Sequence, residues 1–263
     1  MKDQPTTIIT GSYSGIGEVL TNQLAAAGHA LILLNRQEEK TLSHVKKLKA
    51  TYPDTKVDFA LADFGDLEQV KRAAIKIAAK HKSISFAYLN AGWIGTKYQS
   101  SVQGHDMNFQ VNVLANYAIL QLLRPSLARG AAQVVASGSG ARQMVRKTSL
   151  ELVQNQARKT GMAPYAQSKQ ALVDLFLVLS DEMSHEQISL NVVDLPPTKT
   201  EMARNKAVPG IMRLFSFLFA TPEKAVAKLS AAANSAPIGS QQSEETTEEQ
   251  SQLIKLVRSL TEL

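Results

Sequence analysis

Short β-rich runs alternate with longer stretches of helical period along almost the whole chain, and this restricts the fold more than any other feature. A strand, a crossover helix and a second strand pair in parallel, and parallel sheets bury both faces under helices. Strands are predicted at 6–10, 30–34, 57–61, 85–89, 133–136 and 190–193. Helices are predicted at 15–27, 38–50, 67–81, 105–127, 164–183 and 222–233. The expectation is an α/β chain, one domain over residues 1–263, with a doubly wound parallel sheet of six or seven strands and helices on both faces. Residues 235–249 are rich in Ser, Gln and Glu and carry no convincing strand, which leaves the seventh strand open. Residues 251–263 return to helical period, with Leu253, Leu256, Leu260 and Leu263 on related faces. No internal repeat or linker divides the chain.

Composition removes several alternatives. Hydrophobic residues make up 44% of the sequence and charged residues 20%, as in globular proteins with a sizeable core. The absence of cysteine rules out disulfides, a thiolate nucleophile and a Cys-based metal site. No apolar leader precedes the first strand, so the cytoplasm is the expected compartment. The most apolar stretches, 171–179 and 211–220, are broken by Asp174 and Arg213 and fall short of a membrane span of about 20 residues. The net charge of +6 is scattered over helical segments, and aromatic residues are only 6% of the chain, which argues against nucleic acid as a partner.

Between the first strand and the first helix stands Thr10-Gly11-Ser12-Tyr13-Ser14-Gly15-Ile16-Gly17. Glycines here let the backbone turn sharply and approach a pyrophosphate, while the helix N-terminus offers free N–H groups to that anion. This places a dinucleotide on Gly11, Ser14, Gly15, Ile16 and Gly17, in a Rossmann-type domain. At the end of the second strand, Asn35 carries no charge to repel a 2′-phosphate and Arg36 supplies a cation to meet one. NADP(H) is therefore the favoured cofactor, with NAD(H) as the alternative. Further on come Tyr165 and Lys169, four residues apart on one helix face, a spacing at which a cation draws the phenol toward useful acidity.

These segments resemble the short-chain dehydrogenase/reductase family, and the resemblance covers nearly the entire chain. The glycine octet matches its T-G-x-x-x-G-I-G motif, and Tyr165-Ala166-Gln167-Ser168-Lys169 matches Y-x-x-x-K. The resemblance implies that Tyr165 is the acid/base and that Lys169 tunes it and holds the nicotinamide ribose. It implies that Ser139, in the run Ser137-Gly138-Ser139-Gly140, hydrogen-bonds the substrate oxygen, with Ser137 the competing candidate and Gly138 standing where a serine is usual. Asn112 takes the place of the helix Asn that supports a water-linked relay to the lysine. Asp63 and Phe64 fall where the family contacts adenine, and Asn90-Ala91-Gly92 matches the N-A-G segment bordering the cofactor. NADP-preferring relatives often place a basic residue where this chain has Ser14.

Two regions depart from the family's pattern. After the sixth strand, Leu195-Pro196 replaces the usual Pro-Gly pair and Thr198 replaces Val, in a stretch that reaches Thr200 and is implied to touch the nicotinamide and pyrophosphate. Residues 142–161 form a basic insert like that of the retinol-dehydrogenase-like and protochlorophyllide-reductase-like branches, placed to gate the site or to block helix-mediated dimers. Residues 201–220 fall at the family's substrate lid and are strongly apolar. That character suits a hydrophobic substrate, core burial or contact with a membrane surface. The reading is an NADP(H)-dependent oxidoreductase of a hydrophobic small molecule. A non-enzymatic NADP(H)-binding regulator is its rival, and homo-oligomers and peripheral membrane contact are left open.

Overall fold

Six strands pair in parallel in the order β3-β2-β1-β4-β5-β6: β1 (Thr6–Thr10), β2 (Ala30–Asn35), β3 (Val57–Leu61), β4 (Phe86–Leu89), β5 (Gln133–Ser139) and β6 (Ser189–Leu195). The structure, a computed structural model, describes residues 4–95, 97–145, 147–198, 220–238 and 246–263. Alternation along the strands splits the core in two. Ile8, Ile32, Leu34, Val134 and Ala136 enter one cluster, and Ile9, Leu31, Leu33 and Val135 enter the other.

The first cluster is covered by α3 (Leu67–Lys80), by α5 (Ala115–Arg129) and by α7 (Met162–Ser184). α5 continues from a short α4 (Met107–Phe109) through a π-helical turn at Gln110–Leu114. The second cluster is covered by α1 (Gly15–Ala26), α2 (Glu38–Thr51) and α8 (Pro222–Ala232). The C-terminal helix α9 (Glu248–Thr261) starts with a capping box at Thr247 and Gln250 and buries Leu253, Ile254 and Val257 in the first cluster.

All six expected strands and seven expected helical segments are found, but the helix expected at 105–127 is broken by the π-helical turn, and one strand pair differs in length. β5 runs past Ala136 to Ser139 and β6 runs to Leu195, because Ser137, Gly138 and Ser139 pair with Val193, Asp194 and Leu195. Small polar residues carry little strand signal of their own; here the neighbouring strand extends them. In the insert, a 3-10 turn (Gly140–Met144) leads to α6 (Leu150–Gln154). The Asn155 amide donates to Asp106 Oδ2 at 2.8 Å and Thr148 Oγ1 to Asp174 Oδ2 at 2.5 Å, tying the insert to the start of α4 and to α7. Of the region left open for a seventh strand, Ile238 N–H donates to Leu190 O at 2.8 Å on the outer edge of β6, and residues 239–245 lie outside the described residues. Thr200 and nearly all of the expected lid, 201–219, lie outside them as well, while Ala220 bridges to Thr198. No helix among the described residues is long and apolar enough to cross a membrane.

Candidate active site

In this strand order the connections leave β1 and β4 in opposite directions, which opens a crevice at their carboxyl ends. A cavity of about 730 Å³ occupies that end of the sheet, and its walls carry most of the expected residues.

The glycine turn forms one end. Gly11 and Gly15 take φ +67° and +54°, conformations open to glycine. A Cβ at Gly17 would sit 2.0 Å from the Gly11 carbonyl oxygen, so α1 packs this closely on the turn only because that residue is bare. Ser14 caps α1 in extended conformation without a side-chain hydrogen bond to its N–H groups. Those groups, the helix dipole and the glycines make a cradle into which a pyrophosphate fits. Two crosslinks brace it. Ala91 N–H donates to Thr10 Oγ1 at 2.9 Å, and the Asn90 amide reaches the carbonyls of Thr10 and Gly11, each at 3.3 Å.

Asn35 is buried and its amide is turned to the glycine turn: Oδ1 accepts from Ser12 N at 2.8 Å and Nδ2 donates to Ser12 Oγ at 2.9 Å. It thus shapes the turn while leaving the cavity wall uncharged beside Arg36, which is exposed and forms no ion pair with any described residue. Asp63 and the buried Phe64 line the next stretch, with Asp63 Oδ1 accepting from Gly65 N–H at 2.9 Å.

The other end gathers Ser139, Tyr165 and Lys169. α7 begins at Met162 after Gly161 (φ +84°), which places Pro164 in its first turn, where no intrahelical N–H is needed. Lys169 Nζ donates to Ser137 O at 2.7 Å and lies 5.9 Å from the centre of the Tyr165 ring. Ser137 Oγ turns away toward Asn90 Oδ1 at 3.4 Å, whereas Ser139 faces the Tyr165 hydroxyl. The geometry therefore favours Ser139 over Ser137 as the hydroxyl nearest the phenol.

The expected acidity of Tyr165 is not what this arrangement produces. Burial pushes the phenol above its ordinary value, and Ser139 opposes this without overcoming it. Lys169 is itself desolvated, and burial brings its ammonium down to about 8. A cation that sits this far from the ring and is itself close to losing its proton does little to acidify a phenol.

Asn112 sits within the π-helical turn, a distortion often found at functional sites. Its Oδ1 accepts from Trp93 N at 2.9 Å, and its Nδ2 donates to Trp93 O at 3.0 Å and Ser168 Oγ at 2.9 Å. The side chain thus clamps the loop after β4 to α7. Its amide makes no hydrogen bond to Lys169.

Several wall residues escaped sequence reasoning. Trp93 and Ile94 follow the Asn90-Ala91-Gly92 segment, Met144 lies near the start of the insert, and Met162 opens α7 just after it. Adjacency to the motif was the only available signal for Trp93. Leu195, Pro196 and Thr198 close the wall, with Thr198 Oγ1 donating to Pro196 O at 2.7 Å. Among the described residues no cluster of His, Cys, Asp and Glu could hold a metal ion.

Comparison with known proteins points the same way. A family model described as short chain dehydrogenase matches residues 5–208. Human retinol dehydrogenase 13 is 26% identical over 206 residues, covering 78% of this chain and 62% of the relative. Human polyprenol dehydrogenase is 27% identical over 206 residues, covering 75% and 62%. The chain thus aligns with less than two thirds of the length of these relatives. A short chain dehydrogenase from Burkholderia cenocepacia J2315, solved in complex with NADP, superposes with a TM-score of 0.71 at 21% identity, covering 90% of this chain and 93% of that one, a likeness of fold.

Proposed function

Because the chain belongs to the short-chain dehydrogenase family, we propose that it is an NADP(H)-dependent oxidoreductase acting on the carbonyl or alcohol carbon of a hydrophobic small molecule. The observation that carries this reading is the convergence of Ser139, Tyr165 and Lys169 on one cavity whose far end is the glycine cradle at the start of α1. Bound there, the cofactor supplies the hydride. Gly11 and Gly15–Gly17 with the α1 N-terminus would hold its pyrophosphate, and Arg36 its 2′-phosphate. Asp63 and Phe64 would border the adenine; Asn90, Ala91, Gly92, Pro196 and Thr198 would border the nicotinamide half.

The division of labour follows from what each group can do. Ser139 orients the carbonyl oxygen by donating a hydrogen bond. Tyr165, kept protonated by burial, is an acid suited to giving that oxygen a proton as charge develops on it. Lys169, fixed by the Ser137 carbonyl, would hold the ribose. Asn112 sets the loop that carries Trp93. Trp93, Ile94, Met144 and Met162 on the wall favour an apolar substrate, as do the names of the retinol and polyprenol dehydrogenases. Residues 1–263 act in this reading as one domain, and the cytoplasm is the proposed compartment, with which a chain lacking cysteine is compatible.

NADPH consumption with a panel of aldehydes, ketones, retinoids and isoprenoid carbonyls tests the reading. Turnover is expected to fall about 10²–10⁴-fold in Tyr165→Phe with NADPH binding retained. Undiminished turnover in that variant would overturn the role of Tyr165. Tight NADPH binding with no turnover across the panel would instead favour a regulator that kept the fold.

A further inference from the structure

Three consecutive residues at the end of β5 divide their contacts in a telling way. Ser137 offers its carbonyl to the Lys169 ammonium, and Ser139 faces the Tyr165 hydroxyl. Gly138, between them, offers nothing of its own. The register opposite Gly138 on β6 is Asp194, whose carboxylate fills the space a side chain would take: a Cβ at Gly138 would lie 2.8 Å from Asp194 Oδ1 and 3.0 Å from Val192 Cγ1. The glycine that stands where the family usually has a serine is therefore the residue that admits a carboxylate beside the lysine and tyrosine.

That carboxylate is held from one side only. Arg142, in the 3-10 turn just past Ser139, donates through Nε to Asp194 Oδ2 at 2.8 Å. The other oxygen, Oδ1, is buried and makes no hydrogen bond with any described residue. A sealed carboxylate oxygen without a donor is costly unless a positive charge lies close. Arg142 from the turn is its ion-pair partner; Lys169, whose ammonium is bonded to the carbonyl of Ser137 next to Gly138, makes no ion pair or hydrogen bond with it but is subject to its charge, as is Tyr165.

Resting on the proposed function, we infer that Asp194, admitted by Gly138 and clamped by Arg142, is a positioning residue: its carboxylate is the counter-charge that keeps the Lys169 ammonium in place beside Tyr165, and its ion pair ties the turn after Ser139 to β6. The direction of the electrostatics agrees, since Asp194 favours the charged lysine against the burial that lowers it to about 8. It also favours the protonated phenol, the form needed to reduce a carbonyl.

The test follows the Lys169 side chain directly, by NMR titration of lysine-labelled protein without cofactor, with the signal assigned by its loss in Lys169→Met. In Asp194→Asn, nearly the same shape without the charge, the midpoint is expected to move to lower pH. Asp194→Glu should bring it back toward wild type. Gly138→Ser, which pushes the carboxylate aside without removing it, should lower the midpoint too, so the question remains answerable if Asp194→Asn fails to fold. With whichever carbonyl of the panel is consumed, the alkaline limb of the kcat profile should shift in the same direction. A Lys169 midpoint unmoved by both Asp194→Asn and Gly138→Ser, or an Asp194→Glu protein behaving like Asp194→Asn, would overturn the inference. If wild type binds no NADPH the proposed function falls, but the titration still answers for Asp194.

Discussion

Lys169 is buried at the floor of the site with Ser137 O accepting its hydrogen bond, and the folded protein bears the cost of its charge. Its proton comes off near pH 8 in the folded state and near the ordinary lysine value of 10.5 in the unfolded chain. Between those values the unfolded chain binds more protons, so this residue makes stability rise with pH, and its penalty is fully present below about 8. Lys169→Met should therefore be the more stable protein at pH 7, and its advantage should shrink by roughly 2–3 kcal/mol by pH 10 in urea titrations. An advantage independent of pH would mean the lysine is not buried in its charged form. Gly17 makes a second residue-scale case. Its missing Cβ is what lets α1 meet the Gly11 carbonyl, and Gly17→Ala should cost about 1–3 kcal/mol and weaken NADPH binding, measurable by thermal denaturation and fluorescence titration.

Elements decide what those residues can reach. The end of β2 carries Asn35 and Arg36 to the cavity at the point where Ser12 of the glycine turn claims the Asn35 amide. The neutral wall is thus a by-product of bracing the turn, and the exposed arginine next to it is left for a ligand. Replacing Arg36 by Ala should raise the NADPH dissociation constant about 10–100-fold and leave that of NADH nearly unchanged, since a phosphate–guanidinium contact contributes about 1.5–3 kcal/mol. Equal losses for both cofactors would remove Arg36 from the 2′-phosphate site. The insert works at the same scale. Its 3-10 turn brings Arg142 back over the strand end and presents Met144 to the cavity, while Asn155 and Thr148 anchor the middle.

At the scale of the whole molecule, α9 closes the face formed by α7 and the π-helical turn by placing Leu253, Ile254 and Val257 in the larger core cluster. Lys147 of the insert pairs with Glu249, and Arg258 with Glu182, so the last helix is joined to both the insert and α7. Leu253→Ala should cost about 2–5 kcal/mol and lower Tm, read by calorimetry; a loss well below this would mean that the helix is docked loosely. The alternation of strands and helices was legible in the chain because burial on both faces of a parallel sheet imposes its periodicity locally. So were the glycine turn and the Tyr165–Lys169 spacing, each contained within a few successive residues. The place of Asp194 was not legible: Arg142 lies 52 residues away from it, and Gly138 meets it only because β5 and β6 are neighbours. The direction in which Tyr165 is shifted was hidden for the same reason. Spacing on a helix sets which side chains share a face, whereas desolvation and the charges brought in by a neighbouring strand exist only once the sheet has closed around them.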